Sequence, residues 1–515
     1  MPKLFQNVVL GLDDDLGPKV EELVPGHSGY NILRQSLDAR RRRAAPNFIY
    51  TIEVFEPGET PRTPSIEIEP VPYKGDPVLI VGSGPAGLFA ALRLAERGIP
   101  SEIFEQGSEC DRRLRAINRF WRYNELDPRN NVGFGEGGAG LYSDGKLITR
   151  IRSPHIAYVM DRLVGFGAPP EIRYLSNPHV GSDRIRRLIP KLRSRLEQLG
   201  VKLHFDSKVT KILANARAIE GVQTEDGRTF RSGRLILACG HSADDMFRHL
   251  AEIGVTMQGK SFAVGLRVEH PQAHINSIQY REYANHPKLE AANYKLTHTD
   301  PRTKIGVYSF CMCPGGYVLS SGTEPGRLVA NGMSNYKRNS PYANSAIVVT
   351  VDYEACFGKD VFAGLNWRNA LEARAFKMVL DNGGTKELPV QTVPDFLKGK
   401  SGGALPTSCP SGVTPARLDE LLEEKFTKAL KESLQTFDKW MPGFIYEKAQ
   451  LHGVESRTSC PLRIVRDPQT FQSLSHKGLY PSGEGAGYAG GITSAACDGI
   501  SVAEAIVTET VSAKI

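Results

Sequence analysis

Three glycine strings carry the spacing of a phosphate-holding turn: Gly82, Gly84 and Gly87; Gly133, Gly135 and Gly138; and Gly485, Gly487 and Gly490. In such a string the first glycine permits a tight turn, the second lets a pyrophosphate approach the backbone, and the third lets a helix pack closely on a sheet. Free N–H groups at the helix start then attract phosphate. Only the first string has the full context. Residues 78–81 form a continuous apolar strand, 88–97 have helical periodicity, and a second strand over 101–104 delivers Glu105. A carboxylate there can accept both ribose hydroxyls of an adenosine and would repel a 2′-phosphate. The middle string lies between turn residues and the interrupting Ser143, Asp144 and Gly145, so it reads as a loop touching phosphate or a ring. The last follows a short strand over 479–481 and precedes a helix over 490–505, a second helix start aimed at something anionic or electron-rich.

Away from the glycines, Arg267, Glu269 and His270 stand in VGLRVEHP. On an extended strand Arg267 and Glu269 share a face and His270 points opposite, so the three cannot serve one site without a bend. A packed ion pair and a turn-initiating histidine before Pro271 are the alternatives. Arg463, three before Arg466 in SCPLRIVRDP, is a candidate carboxylate clamp, with surface charge as the alternative, and Tyr308 is a candidate proton donor or a core residue. Cys311 and Cys313 form a CxC that is either redox-active or half of a soft metal site. No second nearby pair closes a metal site, and structural thiols are the favoured reading. The expectation for metal is none.

The elements that position these residues sit in a chain of 515 residues, enough for two to four domains, with 40% hydrophobic and 23% charged residues. The 51 glycines are a surplus, and the net charge of +7 is dilute. Basic runs at 40–43 and 184–195 lack aromatic interleaving, so nucleic acid is not expected. Without a signal-peptide pattern or a run of 18 apolar residues, the expectation is a cytoplasmic protein with no stable membrane insertion. Residues 5–12 and 47–55 read as strands, 30–40 as a helix, and the proline-rich 56–76 as an extended linker. A strand over 201–205, a small meander over 209–224 and a buried strand over 235–238 continue the first glycine unit. The expected division is 1–75 as a small N-terminal α/β domain and linker, 76–255 as the first part of a dinucleotide domain, 256–457 as a substrate or cap domain, and 458–515 returning to the dinucleotide domain.

These residues resemble the FAD-binding fold of glutathione-reductase-like flavoproteins. VGSGPAGLFAALRLAERG with Glu105 is similar to the ADP-binding start, LILACG over 235–240 to the later strand-plus-glycine motif, and LYPSGEGAGYAGG to the C-terminal flavin motif. More narrowly, FGEGGAGLYSDGKL, GKSFAVGLRVEHPQ, GVYSFCMCPGGYV and GEGAGYAGGITSAACDG resemble a large bacterial family of uncharacterised FAD-dependent dehydrogenases, over 47–510. The resemblance implies an α/β fold: a Rossmann-like FAD-binding domain assembled from discontinuous segments, an inserted mixed α+β substrate domain and a small N-terminal α/β appendage. It implies that Gly82, Ser83, Gly84, Pro85, Ala86 and Gly87 bind the FAD pyrophosphate, that Glu105 and Gln106 meet the adenosine ribose, and that Arg112 or Arg113 meets the outer pyrophosphate. Gly483 and Glu484 stand where relatives place Gly-Asp, and the longer Glu leaves that contact open. Gly138, Ser143 and Lys146 would approach from the other side, and Val209, Gly240, Gly490, Gly491 and Ile492 complete the implied cofactor set.

The class implied is an oxidoreductase moving a hydride between flavin N5 and a small organic, anionic or neutral, substrate, with no protein nucleophile required. Arg267, His270, Tyr308 and Arg463 are the candidates for substrate chemistry. A flavin-dependent monooxygenase and an FAD-binding structural or RNA-modification partner are the alternatives. No second complete dinucleotide unit is visible for NAD(P)H, so a nicotinamide or other electron-transfer partner stays open, as does the oligomeric state.

Overall fold

The structure, a computed structural model, describes residues 2–40, 45–60 and 66–512. At its centre is a five-stranded parallel sheet in the order Leu479–Pro481, Leu235–Leu237, Val78–Val81, Ser101–Phe104, Lys202–His204. The strands come from three separate stretches of chain, so the Rossmann-like core is discontinuous, and the terminal motif returns to lie beside Leu235–Leu237. All four residues of Val78–Val81 and of Ser101–Phe104 are buried, which is why these short strands are continuous rather than alternating in character. The meander Val209–Asn215, Ala218–Thr224 and Thr229–Arg231 forms its own antiparallel sheet ahead of Leu235–Leu237.

The helix Pro85–Glu96 is buried from Ala86 through Leu94. Apart from Arg93, its sequence AGLFAALRLA is small or apolar all round because it lies between the sheet and the terminal helix Ile492–Ser512. The two helices approach so closely that a Cβ at Gly499 would stand 2.1 Å from the Ala86 carbonyl oxygen. Arg93, also buried there, donates to Glu504 at 2.8 Å and so keeps its charge paired.

The second large layer is a seven-stranded mixed sheet, ordered Thr297–Thr299, Gly306–Cys313, Tyr342–Val351, Phe262–Pro271, Gln450–Glu455, Leu388–Thr392, Val413–Pro415. Alternation divides its faces. Val264, Leu266, Val268, Ile347 and Val349 pack toward the helices Ala363–Asp381 and Glu424–Trp440. Ala263, Ala346 and Val348 turn the other way with Tyr308 and Phe310, as does Arg267 by its position in the alternation.

The N-terminal sheet is ordered Lys3–Gly11, Asn47–Phe55, Gly29–Asp38, with the helix Leu16–Leu23 over one face. Here the helix expected over 30–40 is corrected: those residues form the edge strand Gly29–Asp38, paired along its length with Asn47–Phe55. Tyr30 and Ile32 pack into the small core while Leu33 and Leu37 face outward, a pattern that tertiary pairing makes strand-like despite its local helical look. Within the basic run at 40–43, residues 41–43 lie outside the described residues, as do Pro61 and Pro64 of the linker. The basic stretch at 184–195 lies on the helix Ser182–Gln198. No described helix is long and apolar enough to cross a membrane.

The backbone contact between the two central helices is testable. Gly499→Val should destabilise the protein by about 1–3 kcal/mol through overpacking, seen as a lower denaturation midpoint. Gly403→Ala, at an exposed position with nothing within 4 Å of the new Cβ, should leave that midpoint unchanged.

Candidate functional site

The three glycine strings converge. A Cβ at Gly82, where φ is 105°, would meet the Ala238 carbonyl oxygen at 2.3 Å, and one at Gly87 would meet the Gly82 carbonyl oxygen at 2.0 Å. Gly138 approaches Gly84 at 2.9 Å by the same measure, Gly485 approaches Gly240 at 2.4 Å, and Gly483 approaches Ala86 at 2.9 Å. Gly84 itself is the N-cap of Pro85–Glu96, with no side chain capping the helix and Pro85 in its first turn. Its uncapped N–H groups face a cradle walled by backbone, which suits an anion. Gly490 and Gly491 are exposed ahead of the terminal helix, which begins at Ile492, and leave its start open as well.

Glu105 is the knot of this region. One carboxylate oxygen accepts from Ser83 N at 3.0 Å and Ser83 Oγ at 2.8 Å, and the other from Gly107 N and Gly135 N, each at 3.0 Å. It therefore ties the first glycine turn to the middle string, and a ribose contact would have to share acceptors already holding four donors. Gln106 beside it is half-buried. Arg113 is wholly buried and donates to the carbonyls of Asn131, Val132, Gly135, Glu136 and Gly138, so it shapes the middle loop from behind. Arg112 is exposed and pairs with Asp206 at 2.8 Å. The structure brings neither arginine to the glycine cradle with a free guanidinium. Val209 is buried in the core that also holds Val81 and Phe104. Ser143 donates to Gly140 O at 2.8 Å, a loop-internal contact, whereas Lys146 reaches across to the Met312 carbonyl oxygen.

On the inner face of the seven-stranded sheet, Arg267 is buried, with Nε on Glu455 at 2.9 Å and Nη1 on Asn344 Oδ1 at 2.8 Å and on Cys311 O at 3.3 Å. Its Nη2 and the Nδ2 of Asn344 are sealed from solvent and have no partner among the described residues. Gly332 makes room for the pair: a Cβ there would stand 2.3 Å from Arg267 Nη1. Burial raises the Glu455 carboxyl while Arg267 opposes the rise. Glu269 is held down to about 2 by His452 and Ser408 against the cost of burial. His270 faces away, with Nε2 at 2.8 Å from the Phe444 carbonyl, and burial lowers it to about 4, so it stays neutral. The structure thus separates His270 from Arg267. Tyr308 shares the Arg267 face and burial raises its hydroxyl.

Between the two layers, Arg463 pairs across strands with Gln258 and lies 5.1 Å from the Tyr488 ring centroid. Its neighbour Arg466 is occupied by Asp498 at 2.5 Å and by the Pro481 carbonyl. Burial raises the Glu484 carboxyl to about 7, with Lys260 opposing and Cys311 adding to the rise. Lys260 donates to the Gly487 carbonyl at 3.1 Å, and burial and Arg463 lower it. Asn344, Glu455 and Lys260 are functional candidates that only the structure brings forward. The signal for Lys260 was its place in GKSFAVGLRVEHPQ; Asn344 and Glu455 have none, because their link to Arg267 is made by strand pairing.

Residues 76–118 match the FAD binding domain family, 175–325 the FAD dependent oxidoreductase family, and 261–458 a family described as FAD-dependent protein, C-terminal domain-like. The fold and the site accordingly define an FAD-dependent oxidoreductase. Over 529 residues the chain is 41% identical to an uncharacterized protein of Clostridium beijerinckii, covering 98% of both, and it belongs to one family with that protein. Among solved structures it is similar to quinol fumarate reductase FrdA of E. coli, at 12% identity, 85% of this chain, 70% of that one and a TM-score of 0.39. L-proline dehydrogenase from P. horikoshii is similar at 12% identity, 85% and 94% coverage and a TM-score of 0.32. Likenesses this distant carry no substrate to this chain. The uncapped N–H groups at the start of Pro85–Glu96 fit the FAD pyrophosphate, and Gly82, Gly87 and Gly138 let the surrounding backbone close around that start.

Glu105→Ala should strip three backbone donors of their acceptor, lowering stability by about 1–3 kcal/mol and reducing the flavin absorbance retained per protein. The raised Glu484 carboxyl sets a pH dependence. A folded-state value of about 7 lies above the unfolded one, so its contribution to stability is full below about pH 4 and fades as pH rises through 7. Glu484→Gln should therefore gain thermal stability relative to the parent between pH 5 and pH 8, read as the difference in Tm across that range.

Proposed function

We propose that the protein moves a hydride between its flavin and a small organic substrate carrying a carboxylate or carbonyl oxygen, held against the inner face of the seven-stranded sheet. One observation carries this reading: Arg267 Nη2 and Asn344 Nδ2 are buried donors without an acceptor among the described residues, on two side chains that are themselves hydrogen-bonded through Nη1 and Oδ1. A buried donor left unpaired is costly, and a substrate oxygen admitted to this face when it opens would supply the missing acceptor. Glu455 holds the guanidinium in place through Nε, and the small Ala263 and Ala346 leave that face low. Bound FAD supplies the two-electron acceptor or donor.

In this reading Glu484, titrating near neutrality, holds or releases the proton that accompanies the electrons, and Lys260 tunes it. Lys146 steadies the 311–313 backbone, and Arg463 is a second cation for an anionic substrate. NADH or NADPH is the proposed second redox partner, the location cytoplasmic, and the kinship glutathione-reductase-like. The proposed division stays at 1–75, 76–255, 256–457 and 458–515.

The test is anaerobic bleaching of the yellow protein by NADH, NADPH and a panel of small hydroxy, amino and unsaturated carboxylic acids. At least one acid should exchange electrons with the flavin, and Arg267→Lys, which keeps the charge but loses the fork, should slow that exchange by about 10–100-fold while retaining flavin. Equal rates in the parent and in Arg267→Lys would remove Arg267 from the substrate site.

A further inference from the structure

The segment 311–313 is held in an uncommon shape. The strand Gly306–Cys313 shifts register against Tyr342–Val351 between Phe310 and Cys313, and Cys311 takes a φ of 47°, a left-handed conformation that side chains other than glycine rarely adopt. Two cations from different parts of the fold pin the segment: Arg267 Nη1 on the Cys311 carbonyl and Lys146 Nζ on the Met312 carbonyl. The Cys313 thiol folds back onto the Cys311 carbonyl at 3.2 Å, and the two thiols interact side chain to side chain. A strained, over-determined backbone carrying a nucleophilic side chain marks a functional position.

The two thiols differ. Cys313 is fully buried, whereas Cys311 is only partly so. Burial raises the thiols of Cys110, Cys239, Cys409, Cys460 and Cys497, and that of Cys313 as well. Cys311 runs the other way: hydrogen bonding from Cys313 lowers it first, then Lys146 and Arg267, against burial and Asp144. A partly exposed thiol whose acidity is raised, next to a buried partner thiol, is the arrangement of an attacking and a resolving cysteine.

We propose that Cys311 and Cys313 are a thiol–disulfide exchange pair that accepts a low-molecular-weight disulfide, with Cys311 attacking and Cys313 resolving. The Cys311 thiolate attacks one sulfur of RSSR, forming a mixed disulfide and releasing RS⁻, which takes up the proton Cys311 gave away. Cys313, losing its own proton, attacks the Cys311 sulfur, closes the Cys311–Cys313 disulfide and releases the second RS⁻, protonated in turn. Two cysteine thiols are oxidised by two electrons, and RSSR is reduced to two RSH. The exchange needs no flavin turnover, so it stands or falls separately from the hydride chemistry above.

Full-length, flavin-loaded protein titrated with oxidised glutathione, alkylated and read by intact mass and peptide mapping tests this. The parent should lose two of its eight free thiols, with a mass lower by two hydrogens, no adduct, and the bridge between Cys311 and Cys313. Cys313→Ser should trap one glutathione on Cys311, and Cys311→Ser should keep all its thiols. Retention of all eight thiols by the parent, an adduct only on Cys356, or reaction of Cys311→Ser at the parent's rate would overturn the proposal.

Discussion

Backbone touching backbone is the constraint on which the rest of this molecule depends. Gly82 against Ala238, Gly138 against Gly84, Gly485 against Gly240 and Gly499 against Ala86 bring stretches far apart in the chain to distances that no Cβ would allow, and Gly87 against Gly82 does the same within the first turn. Close approach of this kind places helix N–H groups and loop amides around one cradle, and it lets a phosphate be held by main chain rather than by side-chain charge. Glu105 then locks the cradle by accepting from the first turn, the segment after the second strand and the middle loop at once. Arg113 completes the frame by gathering five carbonyls of that loop, so a buried cation is neutralised by dipoles rather than by a carboxylate.

The seven-stranded sheet solves a different problem. Its outer face has an apolar core of ordinary kind, while its inner face carries a buried arginine, a glutamate and an asparagine. Burying an ion pair seldom adds stability over a well-packed apolar alternative, and the proposed substrate role would give Arg267 with Glu455 a reason to be there. The two layers are joined by a further polar clasp. Arg457 donates to Glu372 and to Ser242, and Arg368 pairs with Asp244 at 2.9 Å, tying the loop after Leu235–Leu237 to the helix Ala363–Asp381.

Much of the dinucleotide core is legible in the sequence. Continuous apolar runs such as 78–81 and the glycine spacing are local signals, and buried parallel strands and tight turns leave them in any sequence that forms them. The strand Gly29–Asp38 was not legible, because its edge position is decided by pairing with Asn47–Phe55 and its leucines mimic a helical stripe. The opposed directions of Arg267 and His270 followed from strand alternation alone. The place of Arg113 behind the middle loop did not, since nothing local distinguishes an arginine facing carbonyls from one facing phosphate.

The sequence by itself determined the class of cofactor cradle and the order in which the chain builds it, because glycine spacing, strand hydrophobicity and a terminal acid act over a few residues. Only the tertiary structure decided which groups meet there. It set Asn344 and Glu455 on Arg267, Lys260 beside Glu484, and Lys146 over residues 311–313. These contacts join residues far apart in the chain, and the shifts in proton affinity they produce depend on burial and on neighbouring charge, which exist only once the layers have closed.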